Sequence, residues 1–75
     1  MKNELIELLS DIRPEIDFEG ESGFVDNGLL DSLDIVTIMD AISEQFDVDL
    51  GPDEMIKENF NSIDGMISMI EKAKK

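Results

Sequence analysis

Ser32 is the residue of this 75-residue chain whose position most favours chemistry. It lies in residues 28–34, Gly-Leu-Leu-Asp-Ser-Leu-Asp, between two aspartates and directly before an apolar run. Most serines at such a position cap a helix, because the hydroxyl can bond a free backbone N–H. The position also suits covalent modification, since an attached phosphate group would lie at the positive end of a helix. From the residues alone, both interpretations stay open.

The residue types argue against catalysis by the chain itself. It contains no histidine and no cysteine, which removes most nucleophilic triads and the common zinc ligands. It has no glycine-rich nucleotide-binding motif. Its many carboxylates would need a pocket that shifts their pKa values before they could act as acid or base. We therefore predict that the protein is not an enzyme.

Calcium binding is another use for acidic residues. A calcium-binding loop that began at Asp47 would place Gly51 fifth, where an oxygen ligand is needed, and Pro52 sixth, where glycine is invariant. A loop that began at Asp17 would place Ser22 sixth, where glycine is invariant, and Gly28 twelfth, where a glutamate ligand is needed. We predict no metal site.

The charge distribution indicates protein partners. Residues 14–56 contain thirteen Asp and Glu but no Lys or Arg, and the net charge of the whole chain is −13. Such a segment repels nucleic-acid phosphates and attracts basic protein surfaces. No apolar run reaches the length of a membrane helix, and the N-terminus lacks the apolar region of a signal peptide. We predict a cytoplasmic monomer that binds neither nucleic acid nor membrane.

Hydrophobic spacing predicts an all-α fold, a small four-helix bundle in a single domain over residues 1–75. The first helix is expected over residues 3–13, with Asn3 as its cap and Pro14 as its stop. Its buried face consists of Leu5, Leu8, Leu9 and Ile12. A long acidic loop over residues 14–31 follows. Its apolar residues should pin it to the core: Ile16, Phe18, Phe24, Leu29 and Leu30.

Three further helices are expected after this loop. The second, from Ser32 to about Phe46, has the apolar stripe Ile35, Ile38, Met39, Ile42 and Phe46, and leaves Leu33 exposed. A short third helix is expected from Pro52 to about Asn59, with Met55 and Ile56 facing inward. Asn61 and Asp64 have the spacing of a capping box for a fourth helix. That helix has the stripe Ile63, Met66, Ile67 and Ile70.

Taken together, the motif at residues 28–34 and the Ile/Val/Met-rich helix that ends in Glu-Gln-Phe-Asp-Val-Asp-Leu resemble the acyl carrier protein family. The resemblance covers the full chain: its length, its acidity, the long first loop, the four helices and the motif at the start of the second helix. It implies that Ser32 is the attachment site for 4′-phosphopantetheine derived from coenzyme A. The thiol of that arm would then hold an acyl group as a thioester, which explains a carrier without cysteine.

The resemblance also implies which residues meet partner enzymes. A phosphopantetheinyl transferase would modify Ser32, and Asp31 would help to position its magnesium ion. Ketosynthase-type or acyl-ligase enzymes with basic docking surfaces would bind the second helix. The partner-binding residues are then Asp31, Leu33, Asp34, Thr37 and Glu44.

Three functions therefore compete. The first is a freestanding acyl carrier protein of fatty-acid, polyketide or related biosynthesis. The second is a D-alanyl or aminoacyl carrier, because the Gly-Leu-Leu-Asp-Ser-Leu form is similar to that of carriers in polyketide, peptide or D-alanine pathways. Thr37, Asp40 and Ser43 also depart from the usual pattern of fatty-acid carriers. The third is an acidic adaptor protein with the same fold and an unmodified Ser32.

Overall fold

The computed structural model describes residues 1–74, in which the backbone forms four α-helices and no β-strand. They are α1 (Lys2–Ile12), α2 (Ser32–Phe46), α3 (Lys57–Phe60) and α4 (Ile63–Ala73). A 3₁₀ turn, Pro52–Glu54, precedes α3. Within these residues every helix is too short or too polar to cross a lipid bilayer. The predicted all-α class, with a long first loop and a short third helix, is confirmed.

The core lies where α1 meets α2 and α4, with α3 packed against α4. All four helices and the long loop contribute buried side chains to it. Four of the five loop residues that were predicted to pin the loop are buried, and Leu29 packs against the core from a half-buried position. The buried core comprises Leu5, Leu9, Ile16, Phe18, Phe24, Leu30, Ile38, Met39, Ile42, Val48, Phe60, Ile63, Met66, Met69 and Ile70. The loop is therefore part of the core, although it has no regular structure.

The apolar stripe of α2 sets how this helix lies on the core. Ile38, Met39 and Ile42 are buried, while Ile35 and Phe46 pack against the core at its edge. The exposed fraction of Leu33 is 78%, which confirms the predicted exposure. The N-terminal end of α2 therefore presents an apolar side chain to solvent.

The prediction for the third helix was wrong in its extent and in its buried residues. The chain is extended at Ile56 (φ −115°, ψ 151°), so a 3₁₀ turn and α3 replace one continuous helix. Side-chain bonds stabilise this break. Glu54 accepts from the backbone N–H of Gly51 at 2.6 Å, and Asn59 donates to the carbonyl oxygen of Glu54 at 2.9 Å. The break resets the helical phase, so Met55 and Ile56 are exposed and Phe60 is buried instead.

Two predicted helix caps were also wrong. Asn3 lies inside α1, which begins after Met1 and has no side-chain cap. The cap of α4 is Ser62, whose hydroxyl accepts from the backbone N–H of Gly65 at 3.0 Å. This leaves the side chain of Asn61 available for contacts with the long loop.

Candidate functional site

Ser32 is the first residue of α2 and is exposed to solvent. The N-cap is the preceding residue, Asp31, whose backbone is extended (φ −110°, ψ −175°). The interpretation of Ser32 as the cap is therefore wrong. With the cap supplied by Asp31, the hydroxyl of Ser32 has no capping role at the helix start.

Asp31 and Asp34 form a reciprocal capping box around Ser32. An Asp31 carboxylate oxygen accepts from the backbone N–H of Asp34 at 2.9 Å. An Asp34 carboxylate oxygen accepts from the backbone N–H of Asp31 at 3.2 Å. The first of these bonds is the main cause of a lowered pKa at Asp31, because the N–H group stabilises the charged carboxylate. Two of the free N–H groups at the start of α2 are thus satisfied, and the backbone on both sides of Ser32 is held.

Arg13 joins this box from the end of α1. One of its terminal guanidinium nitrogens donates to the same Asp34 oxygen that accepts from Asp31, and its Nε donates to Glu15 at 2.6 Å. The Arg13 and Asp34 side chains are 30% and 17% exposed. Asp34, which was predicted to bind partners, is therefore paired with Arg13 of the same chain. The two residues are 21 positions apart, so no local pattern in the sequence predicts this contact.

The chain reaches Ser32 through a tight turn over residues 24–30. The carbonyl oxygen of Phe24 accepts from the backbone N–H groups of Leu29 and Leu30, at 2.8 and 3.0 Å. Gly28 has a positive φ of 75°, a conformation that other residues seldom adopt. Leu30 is buried one residue before the cap. The turn therefore fixes the position of Asp31 and Ser32 at the surface.

Asn61 fastens this turn to the junction of α3 and α4. Its side-chain oxygen accepts from the backbone N–H groups of Val25 and Asp26 at 2.9 and 3.1 Å. Its side-chain nitrogen donates to the Asp26 carboxylate at 2.9 Å, and its backbone carbonyl accepts from Phe24 at 3.0 Å. Lys57 adds an exposed ion pair to Asp26 at 3.1 Å. We call the side-chain bonds of Asn61 to Val25 and Asp26 the Asn61 anchor.

Asn61→Ala is expected to lower the free energy of unfolding by about 1–2 kcal/mol, because a part-buried N–H of the loop loses its acceptor. The substitution should also raise the pKa of Asp26, which is lowered chiefly by its hydrogen bond from Asn61. Urea denaturation followed by circular dichroism measures the first effect. NMR titration of the Asp26 carboxyl measures the second.

Asn27→Ala is the matched control for this change. Asn27 is an exposed asparagine in the same turn, and its side chain donates to the Ser22 carbonyl at 3.2 Å in solvent. Its removal should change stability by no more than about 0.5 kcal/mol. Equal losses in the two variants would contradict a special role for Asn61.

The outer face of α2 carries most of the predicted partner-binding residues. Asp31, Leu33, Thr37 and Glu44 are exposed. The hydroxyl of Thr37 donates to the carbonyl oxygen of Leu33 at 3.0 Å. A shallow hollow on this face is lined by Thr37, Asp40, Ala41, Ser43 and Glu44. The structure thus brings Leu33, Thr37 and Glu44 onto one helix surface and places Asp31 at the N-cap before it. The role of these residues in binding partners stays a prediction.

Apart from Met1 and Leu33, three large apolar side chains are exposed, one on α2 and two in the break before α3. Val36 is 48% exposed, Met55 40% and Ile56 49%. Val36 follows Leu33 by three residues, so the two share a helix face. Met55 and Ile56 were assigned to the core because they are apolar. They are exposed to solvent because the backbone is extended at Ile56.

The family model for the phosphopantetheine attachment site matches residues 3–70, which span α1 to α3 and most of α4. The chain belongs to this family. Members of the phosphopantetheine attachment-site family carry 4′-phosphopantetheine as a covalent group. No curated protein and no solved structure matches the chain. The predicted resemblance to acyl carrier proteins is confirmed at the level of the family.

The geometry at the start of α2 fits the group that this family carries. A covalent arm needs an accessible hydroxyl, and Ser32 is exposed while Asp31 and Asp34 serve the helix cap. The helix N-terminus would also stabilise the phosphodiester charge. The arm, once attached, supplies a thiol that this cysteine-free chain lacks.

Proposed function

We propose that this chain is an acyl carrier protein that bears 4′-phosphopantetheine on Ser32 and presents acyl groups to enzymes of fatty-acid, polyketide or related biosynthesis. The observation that carries the proposal is the position of Ser32. It is the exposed first residue of α2, freed from capping by Asp31, in a chain of the phosphopantetheine attachment-site family. In this role the chain holds and delivers a cargo, and the partner enzymes perform the chemistry.

Attachment forms one bond and breaks one. The Ser32 oxygen bonds to the phosphorus that carries pantetheine in coenzyme A, and the pyrophosphate bond to the adenosine part breaks. Adenosine 3′,5′-bisphosphate leaves, and the Ser32 proton passes to a base of the transferase, which also supplies Mg²⁺. The carrier contributes a held backbone and an accessible hydroxyl. That division of roles agrees with a chain that has no histidine.

The test is intact mass spectrometry after incubation with coenzyme A, Mg²⁺ and a broad-specificity phosphopantetheinyl transferase. The wild-type chain is expected to gain the mass of one phosphopantetheine group, and Ser32→Ala is expected to gain none. Ser68→Ala, at an exposed serine of α4, is the matched control and should gain as much as wild type. No gain in wild type would favour the unmodified adaptor, and an equal gain in Ser32→Ala would place the arm elsewhere.

A carrier of D-alanine or another amino acid is the second candidate. The exposed positions of Thr37 and Asp40 on α2 favour it, because they make this face differ from the pattern common in fatty-acid carriers. The two candidates differ in the cargo that a ligase loads with ATP. Loading of the modified chain by a D-alanine ligase, and not by an acyl ligase, would favour the second candidate over the first.

A further inference from the structure

We propose that Arg13 is a positioning residue for the modification of Ser32, because it holds the Asp31–Asp34 capping box at the start of α2. The inference rests on the proposed function and adds a residue that lies outside the motif. Arg13 precedes Ser32 by nineteen residues and belongs to the end of α1, where it forms the C-cap.

The first step of the argument is the sharing of one oxygen. A single Asp34 carboxylate oxygen accepts both from the backbone N–H of Asp31 and from the Arg13 guanidinium. A movement of the Asp34 side chain would therefore break the bond that holds the residue before Ser32. Arg13 fixes that side chain by a charge-assisted hydrogen bond, which is stronger than one between neutral groups.

The second step is that Arg13 is itself oriented. Its Nε donates to Glu15 at 2.6 Å, while a terminal nitrogen donates to Asp34. The guanidinium is planar and presents its donors in a rigid fork, so two carboxylates on different edges define its plane. The side chain is only 30% exposed. The bond to Glu15 thus fixes the orientation in which the Arg13 guanidinium contacts Asp34.

The third step concerns charge. Asp31 and Asp34 flank Ser32, and attachment of the arm adds a phosphodiester with a further negative charge. Residues 14–56 contain no Lys or Arg, so the positive charge beside Asp34 comes from outside this segment, from Arg13. Unlike charges that are partly shielded from water interact more strongly than exposed ones. Arg13 therefore offsets the repulsion that the new charge meets at the start of α2.

The experiment measures phosphopantetheinyl transfer to saturating and limiting amounts of each variant, at a temperature where circular dichroism shows every variant folded. Arg13→Ala is expected to lower kcat/KM about tenfold, equivalent to about 1.4 kcal/mol. The loss should lie mainly in KM, because a smaller fraction of the carrier molecules would have the ordered first turn of α2 that the transferase binds. Arg13→Lys keeps the charge without the fork and should recover part of the loss.

Two control variants separate positioning from other effects. Lys72→Ala removes the same charge from the last turn of α4, and Ile67→Ala lowers stability from a half-buried position on that helix. Neither should lower kcat/KM more than about twofold. Amide exchange gives a second readout. Arg13→Ala should accelerate exchange at Asp31, whose N–H donates to the Asp34 oxygen that Arg13 holds, without changing Ile70 in α4.

The outcomes are distinguishable. If wild type is modified and Arg13→Ala is modified equally well, the Arg13 proposal is overturned and the proposed function stands. The same conclusion follows if Ile67→Ala slows transfer as much as Arg13→Ala does. If wild type gains no mass, the proposed function fails, and the Arg13 proposal fails with it.

Discussion

Phe24→Ala is expected to lower the free energy of unfolding by about 3–5 kcal/mol, the usual cost of removing a buried phenylalanine ring. Phe24 is fully buried and packs edge-on against Phe18, with ring centroids 5.1 Å apart. Small domains have a total stability of about 0.05–0.15 kcal/mol per residue, so a loss of this size removes a large share of it. Urea denaturation followed by circular dichroism measures the change, since the chain contains neither Trp nor Tyr.

The position of Phe24 makes this substitution a test of the loop as well as of the core. Its backbone carbonyl holds Leu29 and Leu30, and its backbone N–H donates to Asn61. Loss of the ring should therefore loosen the turn that delivers Ser32 and slow phosphopantetheinyl transfer. Phe46→Ala makes the same chemical change at a half-buried ring at the end of α2 and should cost less. If both variants lost equal stability, the loop would not be the part of the core that we describe.

Gly65→Ala is expected to lower the free energy of unfolding by about 2 kcal/mol, although alanine favours a helix by about 1 kcal/mol over glycine. A Cβ atom at this position would lie 2.5 Å from the backbone carbonyl oxygen of Glu58 and 3.3 Å from the Ser62 hydroxyl. Backbone atoms cannot rotate away, so α3 must shift from α4. Overpacking of this kind costs about 1–3 kcal/mol and more where the neighbour is rigid.

Ser68→Ala is the control on the same helix. Ser68 is exposed in α4, so the substitution reports the gain in helix propensity without a clash and should leave stability equal or slightly raised. A Gly65→Ala variant as stable as Ser68→Ala would show that α3 and α4 do not need the close approach. Chemical shifts of α3 should move in Gly65→Ala and not in Ser68→Ala.

The features that could be predicted from the sequence are those determined by local pattern. The apolar stripes of α1, α2 and α4 identified these helices, and the apolar residues of the long loop indicated that it is pinned. Asp and Ser have nearly equal preference for an N-cap. Asp31 and Asp34 have the same capping-box spacing that was predicted for Asn61 and Asp64, so the sequence contained a signal for Asp31 as the cap. The contact between Arg13 and Asp34, by contrast, joins residues 21 positions apart and has no local signature.

The errors arose where side-chain hydrogen bonds override the apolar or capping pattern. Asn61 has the spacing of a cap, yet its side chain bonds residues of the long loop, and its neighbour Ser62 caps α4. Met55 and Ile56 are apolar, yet a break in the helix turns them outward. The break is held by local side-chain bonds of Glu54 and Asn59, which apolar spacing alone does not report. The Asn61 anchor joins residues 35 and 36 positions apart and has no signature within its own few residues.

The Asn61 anchor also has a consequence for the order of folding. Its bonds join residues that are 35 and 36 positions apart, so closing this loop costs about 3 kcal/mol of chain entropy before the bonds are gained. Because local contacts cost less chain entropy to form, we expect the helices to form before the anchor closes. Loss of Asn61 should then accelerate unfolding more than it slows folding. For the proposed carrier, a transferase that needs an ordered start of α2 would meet its substrate only after this last step, so folding would precede attachment of the arm.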